Sequence, residues 1–84
     1  MKTPTIHLNG SGRTILSEQY ERADLAINDA INALFDAHPN GRDYYTQGNE
    51  AYDVALSEHN ARVKALVGVR TDISAIRLAI VDAD

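Results

Sequence analysis

Apolar residues recur along most of this chain at intervals of three and four, the repeat of a helical face. Leu16, Tyr20, Ala23, Ile27, Ala30 and Leu34 form the first such series, with Ile31 and Phe35 widening it. A helix over about 14–37 is expected. Ser11, Thr14 and Ser17 are all possible N-caps for it. Its end is sharper, because Pro39 disfavours helical backbone at His38 and Asn40-Gly41 is a turn pair. The second series is Tyr52, Leu56, His59, Val63 and Leu66, continued by Val69, Ile73, Ile76 and Ile80. It predicts a helix over about 50–81, capped by Asn49 or a neighbour. Two consecutive steps of three meet at Leu66 and slip the stripe sideways beside Gly68. That glycine reads either as a tolerated one or as a bend or close helix contact.

Ahead of the first helix the pattern changes. Thr5-Ile6-His7-Leu8 alternates polar and apolar, which reads as a short strand, and Asn9-Gly10-Ser11-Gly12 then breaks it with two glycines in four residues. No second strand is evident, so this one must lie on a helix or pair with another copy. The expected fold is therefore mainly α: one domain, 1–84, an antiparallel helical hairpin with a short N-terminal strand. Charge favours the antiparallel arrangement. Helix one carries Glu18, Glu21, Asp24, Asp29 and Asp36, whereas the later part of helix two carries Arg62, Lys64, Arg70 and Arg77. Glu18–Arg22 and Glu58–Arg62 also have the favoured i, i+4 order. The helices differ in length, the strand is unpaired, and a two-helix core is thin for a chain of 84 residues. Each points to assembly as a homo-oligomer.

Composition narrows the function classes. A net charge of −4 argues against a direct nucleic-acid or membrane-surface binder, both of which need a cationic footprint. A hydrophobic content of 44% is too high for a disordered tail. Without cysteine there is no disulfide framework and no thiol nucleophile. No apolar run is long enough to span a membrane, and the N-terminal residues lack the apolar core of a secretion signal, so a cytoplasmic protein is expected. His7, His38 and His59 have no metal-site spacing, and no serine, histidine and acid are grouped for nucleophilic catalysis. The expectation is a non-enzymatic protein without metal or cofactor.

The polar chemistry concentrates in two places. The interhelical segment holds Arg42, Tyr44 and Tyr45, a guanidinium beside two phenol rings. Tyrosine offers a flat face to a base, and arginine a fork matched to phosphate. The same residues could instead close the open end of the hairpin, with Arg42 paired to Asp43 or a helix carboxylate. The turn before helix one supplies Asn9, Ser11 and Arg13 near a helix N-terminus, where backbone N–H groups favour an anion, although a plain strand-to-helix turn is the readier explanation.

Thr5-Ile6-His7-Leu8-Asn9-Gly10-Ser11, together with Pro39-Asn40-Gly41-Arg42-Asp43-Tyr44-Tyr45-Thr46-Gln47-Gly48, resembles a family of small uncharacterised bacteriophage and prophage proteins. Their motifs read T-[IV]-H-L-N-G-[ST] and N-[GA]-R-D-Y-Y-x-Q-G. The resemblance covers most of the chain; Gly12 departs from the polar residue expected there. It implies a phage context and carries no activity with it. In that context the leading expectation is an oligomeric "sponge", acting in the host-cell cytoplasm. It would sequester a small nucleotide second messenger of host antiviral defence, cyclic or of ADP-ribose type. Asn9, Ser11, Arg13, Arg42, Tyr44 and Tyr45 are its ligand-binding residues. The alternatives are a protein-binding inhibitor of the anti-CRISPR type, whose acidic helix one imitates nucleic-acid phosphates, and a structural or accessory phage protein.

Overall fold

The computed structural model describes residues 1–83. Two helices dominate it: α1, Arg13–Asp36, and α2, Ala51–Val81, which pack together as a hairpin. Both agree with the expected spans to within a residue. Pro39 and the Asn40-Gly41 turn end α1 as expected, and the Ala37 N–H closes its last turn on the Ala33 and Leu34 carbonyls. The connection is two short 3-10 turns, Gly41–Asp43 and Tyr45–Gln47.

The α1 cap differs from the expected ones. Neither Ser11 nor Thr14 nor Ser17 starts α1. Gly12 does so at φ 84° and ψ 158°, a backbone conformation open almost only to glycine, and its carbonyl accepts the Leu16 N–H. At α2 the cap position falls on Glu50, the neighbour of Asn49, and it makes no side-chain cap. The side-chain cap that does form is in the loop, where Asn40 Oδ1 accepts the Arg42 backbone N–H at 3.1 Å.

No strand forms among the described residues. Thr5–Leu8, expected as one, makes no ladder hydrogen bonds, and a turn follows in which the Gly10 N–H bonds the His7 carbonyl. The physical reason is the one that made the strand conditional: a single hairpin offers it no free backbone edge to pair with.

Three contacts set the helix register. Arg13 at the start of α1 donates to the Ala83 carbonyl just past α2, Asp24 and Asn28 meet Arg70, and the His38 ring meets that of His59. Residue numbers facing each other thus sum to roughly 97, and α1 lies along the second two-thirds of α2. The first ten or so residues of α2 run ~15 Å past the end of α1, at ~1.5 Å per residue. The overhang is therefore at the loop end, and the Tyr45–Gln47 turn covers part of it.

The buried seam corrects the expected stripe. On α2 it runs through Tyr52, Leu56, His59, Val63, Leu66, Arg70, Ile73, Arg77 and Ile80, every one at least partly buried, in unbroken alternating steps of four and three. That is a continuous heptad seam, and the sideways slip at Leu66 does not occur. Val69, expected in the stripe, is 47% exposed. Arg70 takes its place. Likewise Ala30 is exposed and Ile31 buried, so the α1 seam passes through Ser17, Tyr20, Asp24, Ile27, Ile31 and Leu34. α2 is continuous through Gly68, where a Cβ would meet nothing within 4 Å, so no close helix contact explains that glycine within one chain.

Two seam positions of α2 are thus arginines, and both turn to one carboxylate. Arg70 Nε lies 2.8 Å from Asp24 Oδ1, and Arg77 Nη1 lies 3.7 Å from Oδ2. Arg70 Nη1 also donates to Asn28 Oδ1 at 2.7 Å. A charged cluster at the seam rewards one register, because sliding either helix by a turn would leave charges unpaired in a half-buried place. The exposed Glu58–Arg62 pair, 3.6 Å, adds little.

The buried set among the described residues is small: Ile31, Ile80 and His59, of which only Ile80 is fully buried. The radius of gyration is 18.6 Å, against about 12 Å for a compact chain of this length. The accessible surface is 6244 Å², against about 4,900 Å² for a compact monomer of 9.2 kDa. Phe35, Leu25, Ile15, Val54, Val67, Val69, Leu78 and Val81 are each about half exposed or more. No helix among the described residues is long and apolar enough to cross a membrane.

Candidate functional site

The residues singled out by sequence fall into two groups at opposite ends of the hairpin. Arg42, Tyr44 and Tyr45 sit at the loop end, held by the two 3-10 turns. The Tyr44 N–H bonds the Gly41 carbonyl and the Gln47 N–H bonds the Tyr44 carbonyl, which fixes the backbone on both sides of the tyrosines. Tyr45 is 77% exposed and Tyr44 is half-buried. Arg42 is exposed, and its guanidinium has no hydrogen bond or ion pair among the described residues. In particular it does not pair with Asp43. The loop therefore presents a free guanidinium and an open phenol ring on a hydrogen-bonded backbone.

Asn9, Ser11 and Arg13 lie at the other end. Asn9 and Ser11 are exposed in the segment entering α1. Arg13 is committed to the Ala83 carbonyl, where a cation offsets the partial negative charge at the α2 C-terminus. The length of α1 separates the two groups, ~36 Å for its 24 residues. One chain does not bring them together.

The histidines also divide. The His38 and His59 rings meet edge to face, with centroids 5.3 Å apart. His38 Nδ1 lies 2.9 Å from the Pro39 carbonyl and so carries the proton of that bond. His59 is buried, and its Nε2 has no partner. His7 packs over Gly10 at the far end, where a Cβ would lie 2.9 Å from its Nε2. Among the described residues no three histidine or acidic side chains are placed to hold a metal ion.

Sequence reasoning missed a third cluster. Between the helices, on the flank where Arg70 reaches Asp24, lies an open groove of about 500 Å³ lined by Asn28, Ile31, Asn32, Phe35, Val67, Arg70, Thr71 and Ser74. A smaller depression continues it past Ser74 to Arg77, Leu78 and Val81. The available signal was the phase of the heptad. Following steps of four and three from Tyr52 leads through Arg70 and Arg77, which places both arginines toward α1. The acids of α1 divide as well. Asp24 turns into the seam, while Glu18, Glu21, Asp29 and Asp36 remain exposed. No protein-family model, curated protein or solved structure matches the chain.

Proposed function

We propose that this is a phage-type, non-enzymatic binding protein. It works as a homo-oligomer in the host-cell cytoplasm and sequesters a small nucleotide messenger of host defence. The observation that carries the reading is the 6244 Å² surface, about 1,300 Å² more than a compact monomer of this mass exposes. A stable interface covers ~800 Å² per partner, so the excess is of the size that association with further copies would bury. Association is also the only way to bring Arg42, Tyr44 and Tyr45 near Asn9 and Ser11, since α1 holds them apart within one chain. It would give the Thr5–Leu8 segment an edge on which to form its strand.

The ligand class follows from the free groups of the loop. A nucleotide needs a flat apolar surface for its base and a guanidinium for its phosphate, and Tyr45 and Arg42 are the exposed pair that supplies them. Isothermal calorimetry against cyclic and ADP-ribose-type nucleotides tests this. Replacing Tyr45 by Ala should cost about 1–3 kcal/mol of binding if it stacks on a base. Arg42→Lys should also weaken binding, because an ammonium loses the two-pronged contact. The ligand should be recovered chemically unchanged from heat-denatured complex. Binding that is identical in wild type, Arg42→Ala and Tyr45→Ala would remove the loop from the site.

A second reading, a protein-binding inhibitor that imitates nucleic-acid phosphates, is favoured by the exposed Glu18, Glu21, Asp29 and Asp36 of α1. Reversing Glu18, Glu21 and Asp29 to lysine separates the two. Under mimicry it abolishes capture of the partner complex, and under sequestration it leaves nucleotide binding in place.

A further inference from the structure

The groove between the helices combines three features that nothing in the loop reading uses. Its Arg70 is pre-oriented: Nε donates to Asp24 at 2.8 Å and Nη1 to Asn28 at 2.7 Å, while Nη2 has no partner among the described residues. Donors predominate around it. The Asn28 amide oxygen is taken by Arg70, which leaves the Asn28 NH2 group as a donor, and Asn32 and Ser74 add an exposed amide and hydroxyl. No carboxylate lines the groove, although the chain has 12 acidic residues; Asp24, the nearest placed by contact, is already engaged by Arg70 and Arg77. At one end stands Phe35, 58% exposed, beside Val67.

A guanidinium held by a carboxylate loses little freedom when it binds, and neutral amide and hydroxyl donors complete the shell of an oxyanion without like-charge repulsion. The aromatic ring at the end of the groove, about two helical turns from Asn28, offers a face to a planar heterocycle. We infer that this groove is a second binding site on the chain, for a phosphorylated nucleoside. Arg70, Asn28 and Ser74 hold the phosphate, Asn32 lies between them and Phe35, and Phe35 covers the base. The inference takes its ligand class from the nucleotide-sequestering reading but not its location, which is on the helices and not in the loop. Two arginines facing one carboxylate then have a role beyond register: the second lets Asp24 stay neutralised while Arg70 engages a phosphate.

The test is a titration of the 84-residue chain with cyclic di-AMP, ADP-ribose and AMP, followed by two-dimensional ¹H–¹⁵N NMR. The side-chain Nε–H of Arg70 and the amide NH2 groups of Asn28 and Asn32 are the reporters. The expected result is saturable movement of those signals by at least one probe. Asn32→Asp and Ser74→Asp each place a carboxylate in the groove at an exposed position that the fold does not need. Each should weaken that probe by about tenfold or more, with helical circular dichroism unchanged. Arg22→Ala, on an exposed part of α1, should bind as wild type. Movement confined to Arg42, Tyr44 and Tyr45, with both groove variants binding normally, would overturn the groove and leave the loop reading standing. No movement with any probe would overturn both.

Discussion

Replacing Asp24 with asparagine probes the half-buried charge cluster that sets the register. The change keeps the shape of the side chain and removes one negative charge that faces two guanidiniums at 2.8 and 3.7 Å. At 2.8 Å the Coulomb attraction is about 6 kcal/mol for an effective dielectric of 20 and ~1.5 kcal/mol in bulk water. The Asp24 side chain is only 13% exposed, whereas those of Arg70 and Arg77 are 39% and 33% exposed, so the site lies between those limits. Breaking a fully buried pair costs ~3–5 kcal/mol and an exposed one under about 1, which puts Asp24→Asn at about 2–3 kcal/mol. For a domain of this size that is a fall in Tm of roughly 10–20 °C. Circular dichroism melts at one fixed protein concentration measure it, since an oligomer's Tm varies with concentration. Asp29→Asn, which removes an exposed and unpaired charge from the same helix, should change stability by no more than about 0.5 kcal/mol. Equal melting of Asp24→Asn and wild type would mean that apolar packing alone holds the register.

Two glycines should respond in opposite directions. Gly68→Ala should stabilise by about 0.5–1 kcal/mol, because the site is helical and open; a loss of stability or of assembly would place Gly68 against another copy. Gly12→Ala should destabilise by ~1–3 kcal/mol although a Cβ there meets nothing, because only glycine readily adopts its φ of 84°. His59→Leu should be neutral or stabilising in thermal melts, since it removes a buried Nε2 that has no partner, while Ile80→Ala, at a site with 0% exposure, should cost about 2–4 kcal/mol.

Helix positions were legible because their signals are local. Periodic apolar residues marked both spans, and Pro39 with Asn40-Gly41 marked the break between them. The seam was less legible, because a charged residue counts as polar until its partner is known. Asp24 lies 46 residues from Arg70, and nothing near either one announces the pair. Placing Val69 in the stripe and leaving Arg70 out of it followed from that, and so did the false slip at Leu66. The Thr5–Leu8 strand was read from local alternation over four residues, but a strand also needs a partner edge, which lies outside one chain's local pattern. For the candidate site, sequence located the exposed chemistry of the loop but not its distance from Asn9 and Ser11, a consequence of helix length. The groove at Arg70 was invisible for the same reason as the seam: it exists only once the two helices are in register.

Native mass spectrometry on the 84-residue chain, with and without the nucleotide panel, is the sharpest test of oligomeric sequestration. The expected species lies at a whole-number multiple of 9.2 kDa, at least a dimer, and gains the mass of unmodified nucleotide. A folded 9.2 kDa monomer that takes up no nucleotide at micromolar concentration would contradict it.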